Sequence, residues 1–226
     1  MSNILNHINK ILIPLGCFGC NTPLGKGERL ICTVCRNQLP LTEYNFTDEN
    51  PIDRIFYGRI DIKKANSFLF YTQNGIVKNI IHHLKYKNQA QLGTFFGLWY
   101  APLIKERLEI DIVVPVPLHK RKLRKRGYNQ VSLFAQELAN HFKAEFNENI
   151  LLKTANTKTL TKKNRFSRWK ANQELYQLIE KKYIENKTIL LVDDVITTGA
   201  TIEACATALK KAKGVVIYVV TIAVVP

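Results

Sequence analysis

The stretch 215–225, VVIYVVTIAVV, carries apolar side chains at odd and even positions alike. Successive side chains of a strand point to opposite faces, so a strand of this composition is buried on both. Antiparallel sheets commonly wet one face and read as an alternation. A strand apolar throughout belongs in a parallel or mostly parallel sheet covered by helices. TILLVDDV (188–195) and DIVVPVP (111–117) have the same character, and NSFLFY (66–71) predicts a further strand. Between them, 75–86, 92–108, 129–146 and 201–213 have helical periodicity. Lys210, Lys211 and Lys213 fall in the last turn predicted for the final helix, with Gly214 where a C′ glycine belongs. The fold expected is α/β, a mostly parallel sheet with flanking helices. Residues 46–65 read as a connector able to hold an edge strand, and the polar, basic 153–173 fits neither pattern.

The N-terminal part reads differently. Cys17 and Cys20, then Cys32 and Cys35, form two C-x2-C pairs separated by eleven residues. Each pair makes a knuckle that directs two thiolates at one ion, and two knuckles complete a closed tetrahedral site. A reducing compartment disfavours disulfides, so zinc held structurally by these four cysteines is expected. The alternative, surface thiols in a loop, leaves a module with almost no core to hold it. Residues 1–45 are therefore read as a short helix and a zinc-ribbon-like module, 46–65 as a connector and 66–226 as the α/β domain. Cys205, among alanines, reads as a small buried hydrophobe. His82 and His83, adjacent on a helix, point in different directions and read as structural or surface residues.

Charge and hydropathy bound the partners. Lys and Arg number 33 against 18 acidic residues, a formal net charge of +15. Such an excess suits an anionic partner: nucleic acid, a membrane surface or a polyphosphate. No apolar run approaches the roughly 20 residues that span a bilayer. LIPLGC before Cys17 is too short and too weakly basic for a signal segment, so the cytoplasm is the expected location.

The chemistry concentrates in ILLVDDVITTGAT, 189–201. In parallel sheets ligands bind at the carboxyl ends of strands. Asp193 and Asp194 end such a strand, and consecutive side chains there point to opposite sides. Carboxylates accept hydrogen bonds from vicinal ribose hydroxyls. Thr197, Thr198, Gly199, Ala200 and Thr201 then lead into a helix N-terminus, whose free N–H groups and dipole favour phosphate. Acids beside a phosphate cradle suit a sugar phosphate. A mere helix cap needs one polar residue rather than two acids and a donor-rich turn.

The stretch resembles the signature of the type I phosphoribosyltransferases, which bind phosphoribosyl pyrophosphate (PRPP). The resemblance implies that Asp193 and Asp194 serve the ribose hydroxyls and that 197–201 wrap the 5-phosphate. VVPVPLHKRKLRKRGYNQ (113–130), together with the four cysteines, is similar to the ComF family. That family joins a zinc module to a phosphoribosyltransferase domain and is associated with DNA uptake in natural transformation. The resemblance implies that Pro115, Val116 and Pro117 approach the pyrophosphate. The chain departs from the family pattern in 157–176, where Leu160 stands at a glutamine position and Asn172 falls one residue late.

Two basic loops remain. Lys120, Arg121, Lys122, Arg124, Lys125 and Arg126 form one, with Arg165 and Arg168 in the other; Tyr128, Phe166 and Trp169 interleave with them. They read as pyrophosphate contacts or as a path for single-stranded DNA, with a solvated basic face as the bland alternative. Three functions compete: a PRPP-dependent transferase with Mg2+ on the pyrophosphate, a non-catalytic single-stranded-DNA-binding factor of the uptake machinery, and a regulator switched by PRPP.

Overall fold

A computed structural model describes residues 16–86, 89–154 and 175–226. Five parallel strands form the central sheet: β1 (Lys64–Phe70), β2 (Ile112–Pro115), β3 (Glu145–Phe146), β6 (Thr188–Ile196) and β7 (Val216–Val224), in the order β1-β7-β6-β2-β3. The first strand thus closes one edge beside the last. β4 (Leu151–Lys153) and β5 (Tyr176–Leu178) pair antiparallel in a separate ribbon that brackets 155–174.

The double-sided apolar strands have the expected cause. Leu190, Val192, Val220 and Ile222 face one core, and Ile189, Leu191, Ile217 and Val219 face the other. The first core is covered by α3 (Ile76–Tyr86), α4 (Gln91–Tyr100) and α6 (Ser132–Phe142). Val77, Ile80, Ile81 and Leu84 form the buried stripe of α3, at the spacing that puts them on one side of a helix. Gly93 and Gly97 of α4 let it press against α6: a Cβ on Gly97 would collide with Glu137. The second core is covered by α2 (Pro51–Ile55) and α7 (Ala200–Leu209), whose Ala204, Cys205, Ala206 and Ala208 let it lie close on the sheet. Cys205 is fully buried there.

Several boundaries differ from the sequence reading. The helix over 92–108 ends at Tyr100 and gives way to a 3-10 turn, Ala101–Leu103. Pro102 has no N–H to continue the ladder, and its ring crowds the carbonyl four residues back. The helix over 129–146 ends at Phe142, because Lys143 adopts a left-handed conformation (φ 54°), and 145–146 become β3. Within 46–65 stands α2, held by a capping box between Asn50 and Asp53, and only the last two of these residues enter a strand, β1, which is itself an edge of the sheet. The final helix stops at Leu209, so Lys210, Lys211 and Lys213 lie in the turn after it, which Gly214 (φ 72°) closes. The segment 120–126 is not a loop. It is α5 (Lys120–Arg126), started by His119, whose ring accepts the Arg121 N–H at 3.2 Å, and ended by Gly127 at φ 83°. Lys and Arg are good helix formers, and the charge run masked that propensity.

The cysteine segment shares the first core rather than owning one. Cys17, Ile31, Cys32, Cys35 and Leu39 pack with the residues of α3 and α4. Among the described residues no helix is long and apolar enough to cross a membrane.

Candidate functional site

The carboxyl ends of β2 and β6 lie side by side. Pro115 is in register with Val192, and the Val116 N–H donates to the Val192 carbonyl at 2.8 Å. The turn Pro115–Val116–Pro117 is thereby set beside Asp193 and Asp194. As consecutive strand residues these acids face opposite cores. Asp194 turns toward α3 and the segment before α6: Lys85 Nζ lies 3.0 Å from its Oδ1, and Gln130 Nε2 donates to its Oδ2 at 2.7 Å. Asp193 turns toward α7 and the ribbon, where Lys153, Tyr176 and Cys205 interact with it electrostatically. Its Oδ1 accepts the Asp194 N–H at 2.8 Å. Both acids are more than nine-tenths buried.

The turn after β6 is built to stay tight. Gly199 sits at φ 74°, a conformation costly for residues with a Cβ, and a Cβ there would stand 2.7 Å from Ile55 and 2.9 Å from Phe56. Gly199 is also the N-cap of α7 and has no side chain to bond the helix's first N–H groups, which are left for solvent or an anion. Thr197, Thr198, Ala200 and Thr201 are exposed around it. Arg59 braces the turn from outside, donating to the Thr198 carbonyl at 2.8 Å and pairing with Glu203.

Burial, and after it the neighbouring Asp194, push Asp193 up to about 7. The Asp194 N–H, Lys85 and Lys153 act in the opposite direction. Between the usual value of 3.8 and about 7, the folded chain keeps a proton that the unfolded chain releases. The stabilisation this gives is complete below the unfolded value and is lost as pH rises through the folded one. Denaturation midpoints in that window should therefore fall with pH for the wild type relative to Asp193→Asn, which cannot titrate. Parallel curves for the two proteins would overturn this protonation of Asp193.

The segment 126–130 wires these parts together. Arg126 lies over the Tyr86 ring at 5.3 Å and donates to Gln130, which in turn holds Asp194. Asn129 donates to the Val116 carbonyl at 3.0 Å, and Tyr128 donates to the Leu84 carbonyl. Lys120, Arg121, Lys122, Arg124 and Lys125 instead project from α5 into solvent, and none of these five forms an ion pair among the described residues. Arg165, Arg168, Phe166, Trp169, Leu160 and Asn172 lie outside the described residues. A cavity of about 540 Å³ adjoins Lys85, lined also by Tyr71, His82, Tyr86, Val195 and Thr197.

Three groups escaped the sequence reading. Lys85 follows an apolar stripe with nothing to mark it, and Arg59 sits in a connector. Gln130 belongs to the segment already singled out, which was its one available signal.

The second centre is the cysteine cluster. The Sγ atoms of Cys17, Cys20, Cys32 and Cys35 lie within 4.8 Å of one another, and the Cys20 and Cys32 sulfurs are 3.8 Å apart. No disulfide joins them. Backbone N–H groups point at the sulfurs: Gly19 and Cys32 donate to Cys17 at 3.3 and 3.2 Å, and Cys35 donates to Cys32 at 3.4 Å. Hydrogen bonds from Thr22 pull the Cys20 thiol down to about 6, whereas burial pushes Cys35 up. A Cβ on Gly19 would stand 2.9 Å from Cys35 Sγ, so only glycine fits in the knuckle. The arrangement suits a tetrahedral thiolate-bound ion such as zinc, with no position left for a substrate.

A parallel sheet with an acid pair and a tight glycine turn at the end of β6, beside the end of β2, has the architecture of the phosphoribosyltransferase fold. The family model described as phosphoribosyl transferase domain matches residues 132–225. The chain is 33% identical to competence protein F of Haemophilus influenzae over 104 residues, which is 45% of this chain but only 44% of that protein. It is 25% identical to competence protein ComFC of Bacillus subtilis over 195 residues, covering 84% of this chain and 75% of the relative. It is 23% identical to DNA utilization protein YhgH of Escherichia coli over 214 residues, 87% and 91% of the two chains. Over most of its length the chain is thus similar to a competence protein of the ComFC type, and it carries a four-cysteine cluster beside the matched domain.

Proposed function

We propose that the chain binds PRPP with Mg2+ and is a phosphoribosyltransferase-like protein of the cytoplasm that serves DNA uptake or utilisation. The observation that carries the reading is the adjacency of three elements: the buried acid pair, the uncapped turn 197–201, and the 115–117 loop fixed beside them through Val116 and Val192. In this reading Asp193 and Asp194 accept from the ribose hydroxyls, and the N–H groups of 197–201 with the threonine hydroxyls hold the 5-phosphate. The 115–117 loop faces the pyrophosphate, with Arg126 behind it. Mg2+, when bound, would neutralise part of the pyrophosphate charge. Departure of pyrophosphate builds positive charge at the anomeric carbon, and the chain contributes by orienting both ends and presenting fixed dipoles. The cavity beside Lys85 is large enough for an acceptor. The names of the relatives support the link to DNA, because they concern competence and DNA utilisation.

Titration calorimetry with Mg2+-PRPP on metal-loaded protein tests the reading. One ligand per chain is expected, displaced by ribose 5-phosphate. No heat and no displacement would remove the proposal.

A second reading is favoured by α5. Its five exposed cations exceed what one small polyanion needs; at the end of the helix Arg126 lies over the Tyr86 ring, and Tyr128 follows two residues on. A positive strip with aromatic platforms suits single-stranded DNA. Such binding would weaken steeply with salt, in proportion to the phosphates contacted. Anisotropy over a salt series, with PRPP present and absent, separates a DNA-binding role from a purely small-molecule one.

A further inference from the structure

Helix α3 touches both centres. Along one side it is gripped by the first cysteine knuckle. Asn79 Nδ2, in its first half, donates to the Gly19 carbonyl at 2.7 Å, and the Phe18 ring packs at 4.7 Å on His83, two residues before Lys85. Gly19 lies so close that a Cβ there would stand 2.8 Å from Ile76 Cγ2. Phe18 and Gly19 both lie between the ligand pair Cys17 and Cys20. At the C-terminal end, Lys85 reaches Asp194, and Leu84 and Tyr86 receive Tyr128 and Arg126. Asn79 and Lys85 are six residues apart, about 9 Å along a helix at 1.5 Å per residue. A helix with its central stripe locked in the core transmits a shift at one end to the other as a rigid rod.

Asp194 needs what Lys85 supplies. A carboxylate this buried is costly unless paired and hydrogen-bonded. Among the described residues Lys85 is the one cation within ion-pair distance of it. Gln130 supplies the neutral donor on the other oxygen. The knuckle, for its part, is joined to the domain through the apolar residues it lends to the shared core, and an ion held by its four thiols would fix its shape.

We infer that Lys85 is a positioning residue of the sugar-phosphate site and that the cysteine centre sets its place through α3, so that metal occupancy and PRPP affinity are thermodynamically linked. This rests on the PRPP reading above. With the ion removed, Phe18 and Gly19 release α3, Lys85 withdraws, and the acid pair is left without its cation. Linkage is reciprocal, so PRPP must tighten metal binding by the same factor by which metal tightens PRPP binding.

The test is calorimetry of Mg2+-PRPP against zinc-loaded wild type, chelator-stripped wild type, and zinc-loaded Asn79→Ala, Lys85→Met and Lys85→Arg. Stripping and Lys85→Met should each weaken PRPP by about tenfold or more, within the usual range of coupling between sites. Lys85→Arg should keep most of the affinity, and Asn79→Ala should fall between. In Lys85→Met the loss should shrink as pH rises. Lys153, Tyr176 and Cys205 then face Asp193, with Gln130 on Asp194, and of the groups that oppose protonation of Asp193 the Asp194 N–H and Lys153 remain. Saturating PRPP should make zinc harder for a chelator to remove, by the factor found in the first measurement. Equal PRPP affinity in loaded and stripped protein, or in Lys85→Met and wild type, overturns the inference while leaving the PRPP site standing. If stripping unfolds the chain, Asn79→Ala and the chelator competition decide, and no effect in either overturns the inference. If loaded wild type fails to bind PRPP at all, the function proposed above falls and this inference with it.

Discussion

Asp194→Asn is expected to weaken Mg2+-PRPP binding by about 100-fold at neutral pH while leaving one zinc per chain. Hydrogen bonds to a charged acceptor are worth about 1.5–3 kcal/mol each, and every 1.4 kcal/mol is a factor of ten. The substitution keeps the shape of the side chain, and Gln130 can turn its amide to meet an asparagine, so the fold should survive. It removes the charge that ribose hydroxyls and Mg2+ would meet, and it strands Lys85 next to a neutral group. Thr198→Ala, at the exposed turn, removes one neutral donor and should cost about 3- to 10-fold. Neither substitution touches a cysteine sulfur, so at saturating zinc the metal content should be unchanged in both. Isothermal calorimetry and metal analysis check the pair of statements. Affinity equal to wild type in both variants would end the assignment of 193–201 as the sugar-phosphate site.

Cys32→Ser is expected to abolish stoichiometric zinc binding and to lower the denaturation midpoint of the whole chain by roughly 10 °C. Cys32 is both a candidate ligand and the N-cap of α1 (Thr33–Asn37), accepting the Cys35 N–H. Loss of a closed metal site belongs to the short class of changes that cost several kcal/mol, and for chains of this size each kcal/mol moves the midpoint by about 2–4 °C. The effect should not be confined to the N-terminal part. Cys17, Cys32 and Cys35 lie in the same core as Phe68, Ile80, Leu84 and Phe96. A single calorimetric transition, shifted as a unit, is the expected result. Two transitions, with only a small early one moved, would show instead that the cysteine segment melts independently.

The two cores explain why the strands could be read so directly. A strand covered on both faces must be apolar at every position, and that requirement leaves its mark in the sequence without reference to any partner. The clustering of the four cysteines and the tight turn at 197–201 were legible for a similar reason. A knuckle needs two thiols three residues apart, and so tight a turn needs small residues and one glycine tolerant of φ 74°. Helix ends were less legible. Lys143 carries no glycine-like warning before it turns left-handed, and the helical propensity of 120–126 lay hidden under its charge.

By itself the sequence determined the parallel α/β sheet, the four-thiol centre, and the acids and turn at the end of β6. Each of these depends on side-chain chemistry at short spacing along the chain. Tertiary structure alone decided what stands against those groups. Lys85, Gln130 and Arg59 are brought to Asp194 and Thr198 from 109, 64 and 139 positions away, respectively. Tertiary structure also decided that the cysteine segment shares a core with the helix that carries Lys85. Contacts of that separation arise from how helices pack on a sheet, and packing is set by the shape of whole faces rather than by any local pattern of residues.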